Sequence, residues 1–300
     1  MKHNGSGGEE KNQFRTGLAA ALGSFSLWGL LPLYWKQLDA TPWEILAHRI
    51  IWSFVFMIAF LTWRGRLSGL ANLLGHLMED KKKGLSLFSA SLLVTADWCI
   101  FIWAVVNGHI VDTSVGYYIN PLMNVFLGVL LFHERLSSLQ WVSIALASLG
   151  IGYMTLQLGK LPLVAVGLAL TFALYGAVKK RLVIDAWYSI TIETLVVFPF
   201  ALLYAAYLVY TGDGHFALVM KDTVLLAGSG VVTALPLVLF SAGANDLPLS
   251  VLGFCQYLSP TLSLLFGVLL YHEPFSETEQ VTFGMIWLAV LVFSFASWRR

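Results

Sequence analysis

Four ionisable side chains stand inside long apolar stretches of the sequence: His48, Arg49, Asp97 and Glu193. A charge at the centre of a membrane costs roughly 3 kcal/mol or more unless it is paired or hydrated, so such residues mark functional sites by default. Arg49 and Glu193 are each expected about 9 Å from one end of their helix, at about 1.5 Å per residue. We interpret Arg49 as an anion-facing or gating charge and Glu193 as its inner counterpart. A structural charge pair, or snorkelling to the membrane surface, is the alternative.

Asp97 is the deepest acidic residue, about 13 Å from the outer end of its predicted helix. A carboxyl group in a partly apolar setting, with Arg49 on a neighbouring helix, can switch between an ionised state and a protonated one. Asp97 is therefore the predicted proton-coupling residue.

Aromatic and amide side chains flank two prolines, Pro121 and Pro260, near the middles of two apolar stretches. Each proline removes a backbone donor and frees the carbonyl four residues earlier, and a free carbonyl at that depth needs a polar neighbour or a cavity. We predict structural kinks there and a cavity suited to semi-polar organic molecules. The predicted lining is Tyr117, Tyr118, Asn120, Gln256 and Tyr257. Trp98, which faces either lipid or the cavity, and Asn107 complete the predicted transport site; the alternative is that the prolines and tyrosines serve packing alone.

The composition indicates that membrane helices position these residues. Of 300 residues, 58% are hydrophobic and 12% charged, against about 25% charged in a soluble domain. A net charge of +1 argues against nucleic acid as a partner. The two cysteines lie inside apolar stretches and offer neither a disulfide framework nor a metal ligand set, so we expect no metal and no cofactor.

Stretches of roughly 20 apolar residues predict ten spanning helices after a cytoplasmic tail, residues 1–15. The predicted spans are 16–36, 43–63, 85–106, 111–132, 138–157, 161–179, 187–210, 222–243, 249–271 and 279–298. With the tail inside, 14 of the 18 basic residues are cytoplasmic, three are outside and only Arg49 lies within a span. This bias predicts that both termini are cytoplasmic.

Two parts of the sequence repeat each other at an offset of 139 residues. Tyr-Ile-Asn-Pro at 118–121 returns as Tyr-Leu-Ser-Pro at 257–260, and Gly-Val-Leu-Leu-Phe-His-Glu at 128–134 returns with one change at 267–273. The predicted repeats are 16–157 and 161–298, with five spans each. Because five is odd, the second repeat starts from the opposite membrane face, an inverted plan that is recurrent among secondary transporters.

Motifs that suggest an enzyme are weak. The pairs His133–Glu134 and His272–Glu273 fall at helix ends, where we expect capping rather than metal or acid–base chemistry. Residues 227–230 approximate an intramembrane serine-protease motif but lack its first glycine and an evident histidine partner. Without a phosphate-binding loop, the chain is predicted not to hydrolyse ATP and not to be an enzyme.

Eight segments carry a resemblance to a known family: residues 28–36, 44–49, 52–53, 101–105, 116–122, 175–176, 192–194 and 253–257. The sequence resembles the EamA-type members of the drug/metabolite transporter superfamily, and within them the RarD-like group. The resemblance implies ten helices, a bacterial inner membrane and the transport of small organic molecules. It departs at Asp97, where an asparagine would be expected before Trp98.

Together these observations predict an all-α polytopic membrane protein that moves small organic metabolites or drug-like molecules, in the outward direction. The expected partners are a small-molecule substrate and membrane lipids, with no nucleic acid and with a homodimer left open. Two alternatives remain: a channel or lipid scramblase, and a membrane scaffold without transport.

Overall fold

A computed structural model of the chain describes residues 6–107, 110–159, 163–272 and 275–298. Within these ranges the chain forms twelve helices and no strand, which confirms the predicted all-α class. The helices are α1 (Ser6–Trp35), α2 (Pro42–Trp63), α3 (Leu67–Glu79), α4 (Lys81–Val106), α5 (Ile110–Phe132), α6 (Ser138–Leu158), α7 (Leu163–Leu182), α8 (Ala186–Thr211), α9 (Met220–Asp246), α10 (Leu249–Gln256), α11 (Leu258–Tyr271) and α12 (Glu277–Trp298). Ten segments of the described residues are long and apolar enough to cross a membrane, as predicted.

The first helix begins at Ser6, so residues 6–15 of the predicted tail are helical rather than a separate segment. Once a helix has formed, each residue added to its end gains one backbone hydrogen bond. The polar stretch can therefore continue the helix that the apolar span begins. Residues 1–5 of the tail lie outside the described residues.

A short helix, α3, lies in the connection between the second and third spans, where none was predicted. Its 13 residues are too few to cross a bilayer. Leu70 and Leu77, two turns apart on one face, are buried in an apolar cluster at the predicted cytoplasmic end of the bundle. Arg66, just before α3, donates to Asp185 at 2.9 Å, and this hydrogen bond raises the pKa of Arg66. Helix α3 is thereby tied to the start of α8.

The helices pair in a pattern that maps one half of the chain onto the other. Helix α1 packs against α9, and α7 packs against α4. Helix α5 packs against α7, and α10 and α11 pack against α1. Two pairs, α2 with α8 and α6 with α12, join equivalent spans of the two halves. A duplicated five-span unit would give these pairings.

Small residues set the closest helix contacts. A side chain at Gly230 of α9 would lie 2.2 Å from the backbone of Trp52 in α2, so only glycine allows this approach. Ala169, Ala173 and Ala177 recur every four residues and form a buried face of α7, which allows neighbouring helices to approach closely.

The two proline positions differ. Pro121 lies inside the uninterrupted helix α5, whereas the ninth span is divided at Tyr257 into α10 and α11, three residues before Pro260. Each span nevertheless ends in a histidine with φ of 53°, His133 and His272. Glu134 caps the N-terminus of α10, accepting from Leu249 N at 2.5 Å, and its predicted equivalent Glu273 lies outside the described residues.

Candidate functional site

Arg49 lies two turns into α2, which begins behind the N-cap Thr41 with Pro42 in its first turn. Its guanidinium carbon is 4.5 Å from the ring centroid of Trp98 in α4 and 5.7 Å from that of Trp35. Its Nε is buried and has no hydrogen-bond partner. Among the residues that the structure describes, none forms an ion pair with Arg49. Two indole faces therefore stabilise a cation whose hydrogen-bonding capacity is unused.

Asp97 lies one residue before Trp98 in α4, as the sequence requires. Its carboxylate accepts a hydrogen bond from the hydroxyl of Thr171 in α7 at 3.2 Å. Arg49 is within electrostatic range of both Asp97 and Tyr117. The structure thus brings the predicted cation and the predicted proton-coupling acid into one neighbourhood without direct contact, and the coupling role itself stays a prediction.

Tyr117 of α5 completes this group, which we call the Arg49 crevice: Arg49, Asp97, Trp98, Tyr117 and Thr171. The tyrosine is 45% exposed although it is within range of both charges, and its ring lies 6.1 Å from that of Phe101. Arg49, Asp97 and Thr171 are half-buried. Charge, aromatic surface and partial exposure are features that sites for small organic molecules share.

A cluster of aromatic rings from α1, α7 and α9 adjoins the crevice. Phe172 follows Thr171 in α7, and its ring lies 5.6 Å from that of Trp28 and 5.1 Å from that of Phe240. Phe240 is fully buried, whereas Trp28 and Phe172 keep exposed surface. These two rings pack against the same apolar cluster as Trp98.

Glu193 lies in a different environment, with every oxygen satisfied inside the bundle. Its Oε1 is 2.5 Å from Lys179 Nζ and accepts from Ser189 at 2.8 Å, and its Oε2 accepts from Tyr175 at 2.9 Å. Lys179 is 2% and Glu193 3% exposed. Lys179 lies in the last turn of α7, at the predicted cytoplasmic end of that span, and is buried there. The structure therefore pairs Glu193 with Lys179 and does not bring it to Arg49.

The residues around the two prolines form a buried hydrogen-bonded contact between α5 and α10. Asn124 donates to Asn120 at 3.0 Å and to Gln256 at 2.9 Å, and Asn120 donates to the carbonyl of Ala169 at 3.2 Å. Asn124 was not predicted, although it lies one turn after Asn120 on the same face.

Tyr118 and Tyr257 are buried in the same region. The Tyr257 hydroxyl donates to the Tyr118 carbonyl at 3.4 Å, and the Tyr118 ring packs edge-on against Phe283 at 5.1 Å. Of the five predicted lining residues, the structure leaves Tyr117 exposed and buries the other four. Their packing is the arrangement that the alternative interpretation describes, and a substrate role for them stays a prediction.

Asn107 is separate from these groups. It follows the last turn of α4 and its side chain donates to the carbonyl of Trp103 in the preceding turn at 2.8 Å. The structure therefore places it as a helix-end residue.

The loop between α8 and α9, residues 212–219, is fixed against the predicted outer end of α2. Glu44, whose carboxylate is buried, accepts from His215 N at 2.6 Å and from Phe216 N at 3.1 Å, and His215 Nδ1 lies 3.0 Å from it. Sequence reasoning missed Glu44, because its position one turn into a span resembles an ordinary first-turn acid. Asp222 was also missed; it is buried and its carboxylate has no partner among the described residues.

A surface cavity of about 590 Å³ lies elsewhere, at the predicted cytoplasmic end between α3 and the α7–α8 connection. Asn72, His76, Asp80 and Asp185 are among the side chains that line it. It includes none of the predicted transport residues.

Comparison with known proteins identifies the family that this chain matches. The model of the EamA-like transporter family matches residues 15–156 and 160–295. The uncharacterized transporter YojE of Bacillus subtilis is 44% identical over 288 residues, 92% of this chain and 93% of that protein. Protein RarD of Escherichia coli is 37% identical over 286 residues, 95% of each chain. The chloramphenicol-sensitive protein RarD of Pseudomonas aeruginosa is 29% identical over 92% of each chain.

A solved crystal structure has a similar fold. It is 18% identical in sequence and superimposes with a TM-score of 0.72 over 95% of this chain and 99% of that chain. At this identity the similarity concerns the fold alone.

Proposed function

Because this chain belongs to the EamA-like transporter family, we propose that it is a secondary active transporter that exports small organic metabolites or drug-like molecules by alternating access. The family and the full-length RarD relatives confirm the resemblance predicted from the sequence. The chain is a multi-pass membrane protein related to transporters. The direction of transport, the substrate class and the coupling to protons are what we propose beyond this.

The observation that carries the proposal is the unpaired cation in the Arg49 crevice. Arg49 is half-buried, and its buried Nε has no carboxylate or carbonyl partner among the described residues, which is costly unless something else satisfies it part of the time. Glu193, by contrast, has all its partners within the protein. A transported molecule that offers an oxygen to Arg49 and apolar surface to Trp98 and Phe172 would supply what the crevice lacks.

The helix pairings support alternating access. Equivalent spans of the two halves meet at α2 with α8 and at α6 with α12, which is the arrangement expected when two inverted repeats rock about a central site. Two related halves give the inward-open and outward-open states similar energies, so a substrate can shift their populations.

The proposed coupling group is Asp97. Its hydrogen bond to Thr171 joins α4 to α7, and its neighbour Arg49 is on α2, so a change in its charge acts on three helices at once. Protonation would remove its attraction to Arg49 and give the two conformations different proton affinities.

The proposed location is a bacterial inner membrane, with both termini cytoplasmic and lipids as neighbours. The basic residues around α3, near the start of α1 and at the end of α7 support this orientation, as does the bacterial origin of the relatives. Labelling of single cysteines introduced after residues 133 and 272 is expected from opposite membrane sides. Labelling of both from the same side would contradict the inverted repeat. A homodimer is a further proposal that gel filtration in detergent would test.

The test of the function begins with ligands. Purified protein would be screened by thermal shift against metabolites and antibiotics, including chloramphenicol, because a ligand that binds the folded state raises its apparent stability. The strongest ligand would then be used for flux into proteoliposomes. A transporter saturates and shows counterflow, whereas a channel does neither, so linear flux without counterflow would contradict the proposal.

A further inference from the structure

The α8–α9 loop covers one face of α2 at the predicted outer end. The Phe216 ring stacks on the His48 ring, with centroids 4.5 Å apart at 23°, and lies 6.0 Å from the Trp52 ring. Phe216 and Trp35 also pack against one apolar cluster, formed by Leu38, Ala40 and Leu226. Phe216 is half-buried, whereas the residues that follow it in the loop are exposed.

The loop is held in place through its backbone rather than by apolar packing alone. The Glu44 carboxylate accepts from two successive backbone N–H groups, those of His215 and Phe216. A side chain at Gly214 would lie 3.3 Å from that carboxylate. Ala217 adopts φ of 66°, uncommon for a residue other than glycine, with its N–H bound to Thr223 at 2.8 Å. Removing Glu44 would release both the turn and its strain.

Three polar atoms with no hydrogen-bond partner among the described residues lie close together on α2: His48 Nδ1 and Trp52 Nε1, whose rings lie against Phe216, and Arg49 Nε beside them. At about 100° per residue, these side chains fall within one arc of about 100° on the helix. Buried polar atoms are almost always satisfied, so three unsatisfied ones in five residues need an explanation. Movement of the loop would uncover the His48 and Trp52 rings, and a ligand or water that entered there would reach Arg49 on the same arc of the helix.

We propose that His48, Arg49 and Trp52 form a polar stripe that contacts the transported molecule, and that Phe216 is the plug that closes this stripe from the outer side. The inference rests on the proposed function, since a plug has a role only where something passes. Glu44 is the latch that holds the plug closed.

The stripe defines the chemistry that it recognises. The indole and guanidinium nitrogens are donors only, and the imidazole can donate from Nδ1. Such a set binds an oxygen acceptor, and the guanidinium charge favours a carboxylate or another anionic oxygen. The molecules that fit are small organic compounds with such a group.

The experiment measures access to the stripe without any substrate. His48→Cys is made in a chain in which Cys99 and Cys255 are replaced by serine, and intact cells are treated with a membrane-impermeant methanethiosulfonate reagent that carries a sulfonate. Phe216→Ala and Glu44→Gln are expected to raise the labelling rate by at least about tenfold, which corresponds to a plug that contributes about 1.4 kcal/mol to the closed state. Leu218→Ala, in the same loop and 73% exposed, is the matched control and should leave the rate unchanged.

The same chain tests the chemistry of the stripe. With Phe216→Ala, the sulfonate reagent should react at least about threefold faster than its trimethylammonium analogue, because Arg49 attracts the anion. Each rate is divided by the rate of the same reagent with a free thiol in solution. Arg49→Gln should remove the preference for the sulfonate reagent. If His48→Cys folds poorly, Trp52→Cys is the second reporter.

Equal labelling rates in the parent, Phe216→Ala and Glu44→Gln chains would overturn the plug, and a preference for the cationic reagent would overturn the stripe as an acceptor site. Neither result depends on flux. A failure to transport any compound would instead count against the proposed function, so the two failures are distinguishable.

Discussion

Arg49 and Glu193 occupy the same position in the two halves of the molecule, but the partners of the two charges differ. Each lies eight residues after the N-cap of its helix, Thr41 for α2 and Asp185 for α8. Glu193 is neutralised by Lys179 and bound by two hydroxyl groups, whereas Arg49 rests on indole faces with unused donors. Glu193 thus joins two helices, whereas the function that we propose assigns Arg49 to a ligand. The two equivalent positions would then carry one structural and one functional charge.

The largest expected effect breaks the structural side of this comparison. Lys179→Ala would leave Glu193 as a buried charge without its cation, and we expect the free energy of unfolding to fall by about 3–5 kcal/mol. Unfolding in detergent, followed by intrinsic fluorescence, measures the loss. Lys179→Met combined with Glu193→Leu is the control and should recover most of it. A single variant as stable as the parent chain would show that the pair contributes nothing.

The tyrosines sharpen the comparison, because one of them faces the crevice and another does not. Tyr257→Ala should lower the free energy of unfolding by about 3–5 kcal/mol, as for other buried aromatic truncations, whereas exposed Tyr117→Ala should cost about 1 kcal/mol or less. Tyr117→Ala should weaken ligand binding more than Tyr257→Ala does. Thermal unfolding with and without ligand compares the two. The reverse order would place the cavity at the proline region, as the sequence-based prediction has it.

The smallest effect concerns coupling. Asp97→Asn preserves the shape of the side chain and can still accept the hydrogen bond from Thr171, but it removes the charge. Substrate exchange across the membrane should persist at near the parent rate, while acceleration by an imposed pH gradient should be lost. Proteoliposome exchange with and without the gradient measures both. Unchanged acceleration in the variant would exclude Asp97 and leave it only the role of balancing Arg49.

The spans were predictable because the length of an apolar run fixes the number of crossings, and the ionisable residues within them stand out against that background. The repeat motif was visible because identical residues recur at one offset. Helix α3 was not predicted because a short amphipathic segment gives no signal of a membrane span. The spacing of its leucines could have indicated a helix.

The arrangement of the site was harder to predict for a physical reason. Tyr117 and Tyr118 are adjacent, and helical geometry turns them about 100° apart, so one is exposed and the other buried. In a soluble helix polar residues would mark the exposed face, but lipid-facing and protein-facing residues of a membrane helix are both apolar. The pairing of Lys179 with Glu193 and the fit of Phe216 on His48 depend on contacts between helices, which no local pattern encodes.

The most direct test of the central claim compares Arg49→Gln with the parent protein in one preparation. The free energy of unfolding in detergent measures the structural role of Arg49, and counterflow of the strongest ligand in proteoliposomes measures its functional role. The free energy of unfolding of the variant is expected to lie within about 2 kcal/mol of the parent value, because among the described residues only the two cation–π contacts are lost and no hydrogen bond or ion pair. Its counterflow should fall at least about tenfold, the factor for a lost interaction of about 1.4 kcal/mol. Full counterflow in a folded variant would contradict the account, and so would a loss of stability as large as that of Lys179→Ala.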